Sequence, residues 1–404
     1  MNLKTVLTVC GGRGALLASA VTLWATSSVP VFADPLLEQR NLVSDVLPAA
    51  INDPNLTNAW GISEGPGTPI WISDNGSGVT TLYSVPGAGS TPVSKVPLTV
   101  TIPSGSMATS APTGQVFNNT AGSFSLKNGN KALFIFDSED GVISAWGPSL
   151  GTNAEIEVNN SNPDPTLNAV YKGLAIDNMG GTLFATNFRS GMVEMYQTTD
   201  ATHQFELVGT FTDPTVPAGY APFGAAVLDG KLYVTFALQD SGKHDDVAGL
   251  GNGFVDTFDL TGGSMQRLIS GGLLDSPWGL AIAPSSFGTL AGDLLVGNFG
   301  NGAINAYNAT TGDFVATLDG VNGSPLAIDG LWALMVGNGN DAGGGLSNVL
   351  YFTAGPMDES EGLFGSLSVV PEPSTWAMML VSFLALGFVG YRKTRSAAVA
   401  SSAA

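Results

Sequence analysis

Cysteine is nearly missing from this chain. Its 404 residues hold one, Cys10, inside an N-terminal segment that has the look of a removable leader. A mature chain without cysteine has no disulfide, no thiol nucleophile and no Cys-ligated zinc or iron–sulfur centre. Histidine is almost as scarce, with only His203 and His244, so general acid–base chemistry has few places to reside. Charged residues make up 12% of the chain, and lysine and glutamate are thin, which disfavours long surface helices. No H-E-x-x-H pair occurs, which removes a common metallohydrolase signature.

Basic charge is short as well. The chain holds 14 basic and 33 acidic residues, a net of −19. Five of the basic ones lie at the ends: Lys4, Arg13, Arg392, Lys393 and Arg395. Setting those five aside leaves 9 of the 14 against all 33 acidic residues, a net of −24. Such a body is repelled by nucleic acid and by anionic lipid, so no nucleic-acid partner is expected. It suits soluble life outside a cell, or the binding of cations or basic partners.

What is abundant is glycine, 53 residues, together with short runs of Val, Ile, Thr, Phe and Leu set between Gly, Asn and Asp clusters. These read as strands joined by tight turns. A unit of about fifty residues recurs. Its clearest copies are "AWGIS…PIWISDNGSGVTTLYSV" from Ala59, "YKGLAIDNMGGTLFATNFRSGMVEMYQ" from Tyr171 and "PWGLAIAPSSFGTLAGDLLVGNFGNGAINAYN" from Pro277. Anchoring glycines at Gly61, Gly114, Gly173, Gly224, Gly279 and Gly330 give spacings of 53, 59, 51, 55 and 51. Six such units predict an all-β fold, a six-bladed β-propeller, because one three- or four-stranded unit cannot bury both its faces alone. A seven-bladed ring and a pair of sandwiches are the competing topologies. The sixth unit lacks a fourth strand, and "RNLVSDVL", Arg40 to Leu47, is predicted to supply it and clasp the ring. The body is then one domain, residues 34–370.

The two ends read as addresses. Residues 1–33 form a signal peptide: Lys4 and Arg13 supply the positive region, Ala15 to Trp24 the apolar run, and "VFA" a cleavage step between Ala33 and Asp34; an uncleaved anchor is the other reading. Near the C-terminus, Trp376 to Tyr391 carries no charge. As a helix it would be about 24 Å long, short of the ~30 Å hydrocarbon core but within reach of it. Trp376 and Tyr391 would mark the interfaces, and Arg392, Lys393 and Arg395 the cytoplasmic side. A buried core helix is the bland alternative. Pro371, Glu372 and Pro373 precede this run and hold the backbone extended.

The order of Pro-Glu-Pro, apolar run and basic end resembles the PEP-CTERM sorting signal of Gram-negative bacteria, over residues 371–395 with 396–404 as a tail. The resemblance implies export across the inner membrane, a transient anchor there, an exosortase as partner, and a final place at the cell surface or outside. The blades resemble those of NHL and SMP-30-type propellers, most closely in "WISDNGSGVTTLY", Trp71 to Tyr83. The whole body is similar to a family of exported bacterial propellers without an established activity, on "LTNAWGIS", "IWISDNGSGVTTLYS", "KHDDVAGLGNGFVDTFD" and "SPWGLAIAP".

Two groups of residues are candidate ligand or metal sites. The stretch Gln239 to Asp259 reads as an insertion between the second and third strands of unit four, with His244, Asp245, Asp246, Asn252 and Asp256. Several oxygens at short range suit a hard cation such as calcium, although the alternating pattern of an EF-hand is lacking; a solvated polar loop is the plain alternative. The second group follows each second strand: Asp74, Asn75, Asn187, Asn298 and Asn338. The SMP-30 resemblance implies one divalent metal near the axis at such positions, while hairpin-turn chemistry explains them without a ligand. Arg189 is set to bind an anionic or sugar ligand or to pair with a carboxylate. Trp60, Trp71, Trp146, Trp278 and Trp332 serve blade packing, or stack on sugars if exposed. No catalytic residue is assigned. The leading expectation is a non-catalytic surface or matrix protein binding exopolysaccharide or a protein. The alternative is a divalent-metal-dependent propeller enzyme of lactonase or lyase type, which needs at least three convergent ligands at an axial mouth.

Overall fold

The structure is a computed structural model, and it describes residues 34–86, 93–106, 108–198, 204–370, 380–384 and 386–388. Ala33, His203, Pro371, Glu372, Pro373, Trp376, Tyr391, Arg392, Lys393 and Arg395 lie outside the described residues, and with them the expectations placed on them.

Five four-stranded antiparallel sheets and one larger sheet follow one another along the chain. Their innermost strands are Ala59–Ser63, Pro112–Phe117, Tyr171–Asp177, Tyr220–Leu228, Pro277–Ile282 and Leu331–Val336. Each packs against the next, and the sixth against the first, so the ring closes. This is a six-bladed β-propeller. The predicted clasp is present and starts four residues earlier than expected: Leu36–Ser44 pairs antiparallel with Leu363–Val369, from Leu37 opposite Val369 to Ser44 opposite Leu363.

The core is divided as the repeat demands. Six apolar layers lie between neighbouring blades, for example Trp71, Leu82, Phe134 and Phe136 between the first two. A seventh cluster sits on the axis and joins Trp60, Phe223, Trp278 and Trp332. Each fully buried side chain of this size contributes about 1.5–3 kcal/mol. All five tryptophans singled out in the sequence are buried and pack in the axial cluster or between the first two blades.

The inner strands share one device. Pairing with the second strand slips at the anchoring residue, as between Tyr171 and Gly173 or between Pro277 and Gly279. The bulge brings that residue against the backbone of the next blade: a β-carbon on Gly279 would stand 2.5 Å from the Trp332 carbonyl oxygen. Hydroxyls on the second strands tie the blades there. Thr186 donates to the Phe223 carbonyl of the next blade at 2.7 Å, and Thr353 of the sixth blade donates to the Trp60 carbonyl of the first. In the sixth blade the equivalent position is Ala333, not Gly330. Gly330 lies one residue ahead of the strand, at φ 64°, where a turn against Gly355 requires glycine.

Among the described residues no helix is long and apolar enough to cross a membrane. Only residues 380–384 and 386–388 of the C-terminal run are described as helical, and they are exposed. The rest of the run expected to form a transmembrane helix, 376–391, lies outside the described residues.

Candidate metal centre

Each second strand ends beside the start of its inner strand, as in the pairs Ala59–Asp74, Tyr171–Asn187 and Pro277–Asn298. The turns after the second strands therefore share one face of the ring with the segments leading into the inner strands. We call this the upper face. The loop of residues 239–253 belongs to it, between strands Lys231–Leu238 and Phe254–Phe258.

At the centre of the upper face stands Lys172, whose side chain is 3% exposed. Its register position on the inner strand is the one that carries Trp60, Phe223, Trp278 and Trp332 in other blades. The ammonium lies 5.1 Å from the centre of the Trp60 ring. It pairs with Glu139 and, at 3.4 Å, with Asp245. Burial opposes the charge on Lys172, but Glu139 and Asp245 outweigh it and hold the pKa above the ordinary lysine value.

The partners are held in turn. Glu139 sits in the turn after strand Phe134–Ser138, where its N–H donates to the Ala111 carbonyl at 3.0 Å. Asn75 donates to its Oε2 at 3.0 Å. Asn58 donates to Asn75 at 3.2 Å and to Glu359 Oε2 at 2.7 Å, while its oxygen accepts from the indoles of Trp60, at 2.9 Å, and Trp332, at 3.1 Å. Met357, Asp358 and Glu359 are three consecutive left-handed residues, with φ of 56°, 52° and 62°. Such a run costs of order 1–3 kcal/mol per residue, and here it carries Glu359 to Asn58. The 239–253 loop is folded on Asp240, whose Oδ1 accepts from His244 N–H at 2.8 Å and Asp245 N–H at 3.3 Å.

Glu139, His244 and Asp245 each offer a ligand atom, and these atoms lie within 4.8 Å of one another. His244 Nδ1 is 2.8 Å from Asp245 Oδ1, which leaves Nε2 as the unengaged nitrogen. That contact, helped by Lys172, lowers the Asp245 pKa to about 2. The side chains of His244 and Asp245 are 42% and 67% exposed, so the cluster opens to solvent. Burial raises the pKa of Asp246 and of Glu359 nearby. Four carboxylates thus share the field of one ammonium, an excess that a divalent cation would balance. Two carboxylates and an imidazole can coordinate a metal ion; by donor type they fit zinc or manganese better than calcium, which takes six to eight oxygens.

The other predicted residues do not join this set. Asn252 donates to the Val247 carbonyl at 3.0 Å and shapes the loop. Asp256 is in the third strand of blade four and is fully buried, paired with Arg267, which also holds Asp213. Burial, then the neighbouring Asp213, push its pKa up to about 7. Asp74 is fully buried, its pKa raised well above the carboxylate range by burial. Asn187 donates to Glu194 at 2.8 Å across its own hairpin, and Asn298 to the Leu273 carbonyl at 2.8 Å, in the segment leading into its blade. Asn338 is at the opposite end of its blade and donates to the Gly65 carbonyl at 3.0 Å. Arg189 spends its Nη1 on the Pro165 and Asn168 carbonyls, at 2.7 and 2.8 Å.

Sequence reading missed Glu139 and Lys172. Glu139 is disguised in "DSEDG", an ordinary hairpin turn. Lys172 left a signal: it is a charge at a register position that four other blades fill with an aromatic ring.

The expectation of a non-catalytic binding protein, and of no enzyme, is corrected by this cluster. Three convergent ligands at an axial mouth were the stated requirement of the metal-enzyme alternative, and Glu139, His244 and Asp245 meet it.

No protein-family model matches the chain, so the sorting-tag, exosortase and exopolysaccharide readings drawn from the C-terminus have no family support. The chain is 29% identical over 324 residues to an uncharacterized protein of Acanthamoeba polyphaga mimivirus, covering 79% of this chain and 76% of that one. A second mimivirus protein, also uncharacterized, is 29% identical over 337 residues, covering 82% and 84%. Among solved structures, a glucose dehydrogenase superposes with a TM-score of 0.48 at 12% identity, covering 82% of this chain and 100% of that one. Streptogramin B lyase does so at 0.43 and 11%, covering 83% and 98%. Likenesses at this level assign no activity to this chain.

Proposed function

We propose that this propeller is a divalent-metal-dependent enzyme of the lactonase or lyase kind, with Glu139, His244 and Asp245 as the metal-binding residues. The observation that carries the reading is the convergence of those three side chains on one solvent-open point above the axis. A cation bound there would act as a Lewis acid on a carbonyl or leaving-group oxygen, the need shared by lactone opening and by elimination. The chain's own residues have separable tasks. Asp245 orients the His244 ring. Asn75 aims Glu139. Lys172 holds the two carboxylates together and adds a fixed positive charge beside any anionic oxygen. Asp246, whose pKa burial raises, is a further carboxyl able to carry a proton. The NHL- and SMP-30-like blade pattern supports the reading at the level of resemblance. Export across an inner membrane belongs to the same proposal, supported by the signal-like segment before Asp34.

The test is calorimetric titration of the chelator-stripped protein with zinc, manganese and calcium, alongside a panel of lactones and of substrates open to elimination. We expect one site at micromolar affinity or better, lost in Glu139→Gln and in His244→Ala, the second without a fall in melting temperature, and a turnover that chelator abolishes. No saturable metal binding, or turnover indifferent to chelator, would overturn the proposal.

A further inference from the structure

The opposite end of the axis, the lower mouth, opens into a cavity of about 810 Å³, within the range of small-molecule sites. It is lined by the outgoing halves of the inner strands, whose Leu174, Val227, Leu280 and Leu334 make an apolar wall, and Trp278 lines it as well. Its rim holds Glu64, Asp229, Asn338 and Asn340. No lysine, arginine or histidine is among the described residues that line it. Glu64 follows the first inner strand, and its Oε2 is buried without a hydrogen-bond partner. It packs against Gly344, where a β-carbon would stand 2.2 Å from that oxygen.

We infer that the lower mouth is a second ligand site, shaped for a small apolar molecule bearing a protonated amine. A carboxyl on the rim of an apolar cavity, without a cationic neighbour, is completed by a ligand that brings the cation and fills the wall. The chain's net charge of −19 draws cations toward it. Burial pushes the Glu64 pKa to about 8, offset in part by the backbone amide of Asn338. The other titratable groups facing this region are Asp229, exposed on the blade-four turn, and Tyr351, whose own pKa burial raises. An amine therefore binds as an ion pair that displaces the Glu64 proton, and its affinity rises with pH until the amine itself is neutralised. A neutral ligand accepting a hydrogen bond from protonated Glu64 has the opposite trend. The site is independent of the metal reading.

The probes are 4-phenylbutylamine and its neutral counterpart 4-phenylbutanol, titrated calorimetrically into the full chain. At pH 8.5 we expect the amine to bind at least about tenfold tighter than the alcohol, and Glu64→Gln to erase that gap with the alcohol unchanged. In the unaltered protein the amine's affinity should rise more than about tenfold from pH 6.5 to 8.5, which serves if Glu64→Gln fails to fold. Leu280→Trp, filling the wall away from Glu64, should weaken both probes, and chelator should affect neither. Equal affinities, a preference for the alcohol, no binding, or indifference to Leu280→Trp would each overturn the inference.

Discussion

The two mouths of the axis are made from the same six strands and have opposite chemistry. The upper one is built from turns and lead-in loops, which each blade supplies with different residues: Asn58, Asn75, Glu139, His244 and Asp245, and Glu359. The lower one is built from the strands themselves and inherits their apolar, period-two character, with Glu64 as an exception at the rim. Between them the indoles of Trp60, Trp278 and Trp332 separate the two environments; Trp60 and Trp332 are stacked 3.6 Å apart. Repetition supplies the wall, and the loops that depart from repetition supply the reactive groups.

The sharpest way to break this contrast is to remove the partition. Trp332→Ala deletes a fully buried indole from the axial cluster and should cost about 3–5 kcal/mol, read from denaturant unfolding. It should also let small solutes pass between the mouths, seen as chelator newly perturbing ligand binding below. Next in size is Lys172→Met. Removing the ammonium leaves Glu139 and Asp245 facing each other, which should lower metal-free stability by about 1–3 kcal/mol. The same change removes a competing cation, so divalent-metal affinity should rise; a fall would mean that Lys172 belongs to the bound state in another way. The smallest effect is expected from Glu64→Gln. The pKa of Glu64 is raised from 4.5 to about 8 by burial, so its contribution to stability is present below pH 4.5 and is lost as pH rises through 8. Glu64→Gln should flatten the decline in melting temperature over that window, by an amount small beside the first two because the group is partly solvated.

How far the sequence could be read follows from the same contrast. The ring was legible because each blade repeats a bulge that needs a small residue and a hairpin that needs Asn, Asp or Gly. Gly330 misled because the sixth blade uses Ala333 at the bulge and keeps a glycine three residues early for a different turn. The missing sixth-blade strand was legible as a deficit, and its true donor starts at Leu36. The site was half legible. His244 and Asp245 stood out in an insertion, whereas Glu139 meets them only because the ring folds residues 139 and 245 to one centre, and local spacing does not encode that. Asp74, Asn187 and Asn298 looked like ligands because a polar residue that closes a hairpin has the same composition as one that holds an ion.

The clasp has a consequence for how this chain can be cut. Val370 N–H donates to the Leu36 carbonyl at 2.9 Å, so the first and last residues of the ring are neighbours in one sheet. Joining them through a short linker and opening the chain between blades three and four should yield a permuted protein with the same circular order of blades. Its far-ultraviolet dichroism and metal affinity should match the parent's, while its last step of ring closure moves from the sixth blade to the new seam. Where the circle is sealed is then a matter of connectivity, and the chemistry at either mouth does not depend on it.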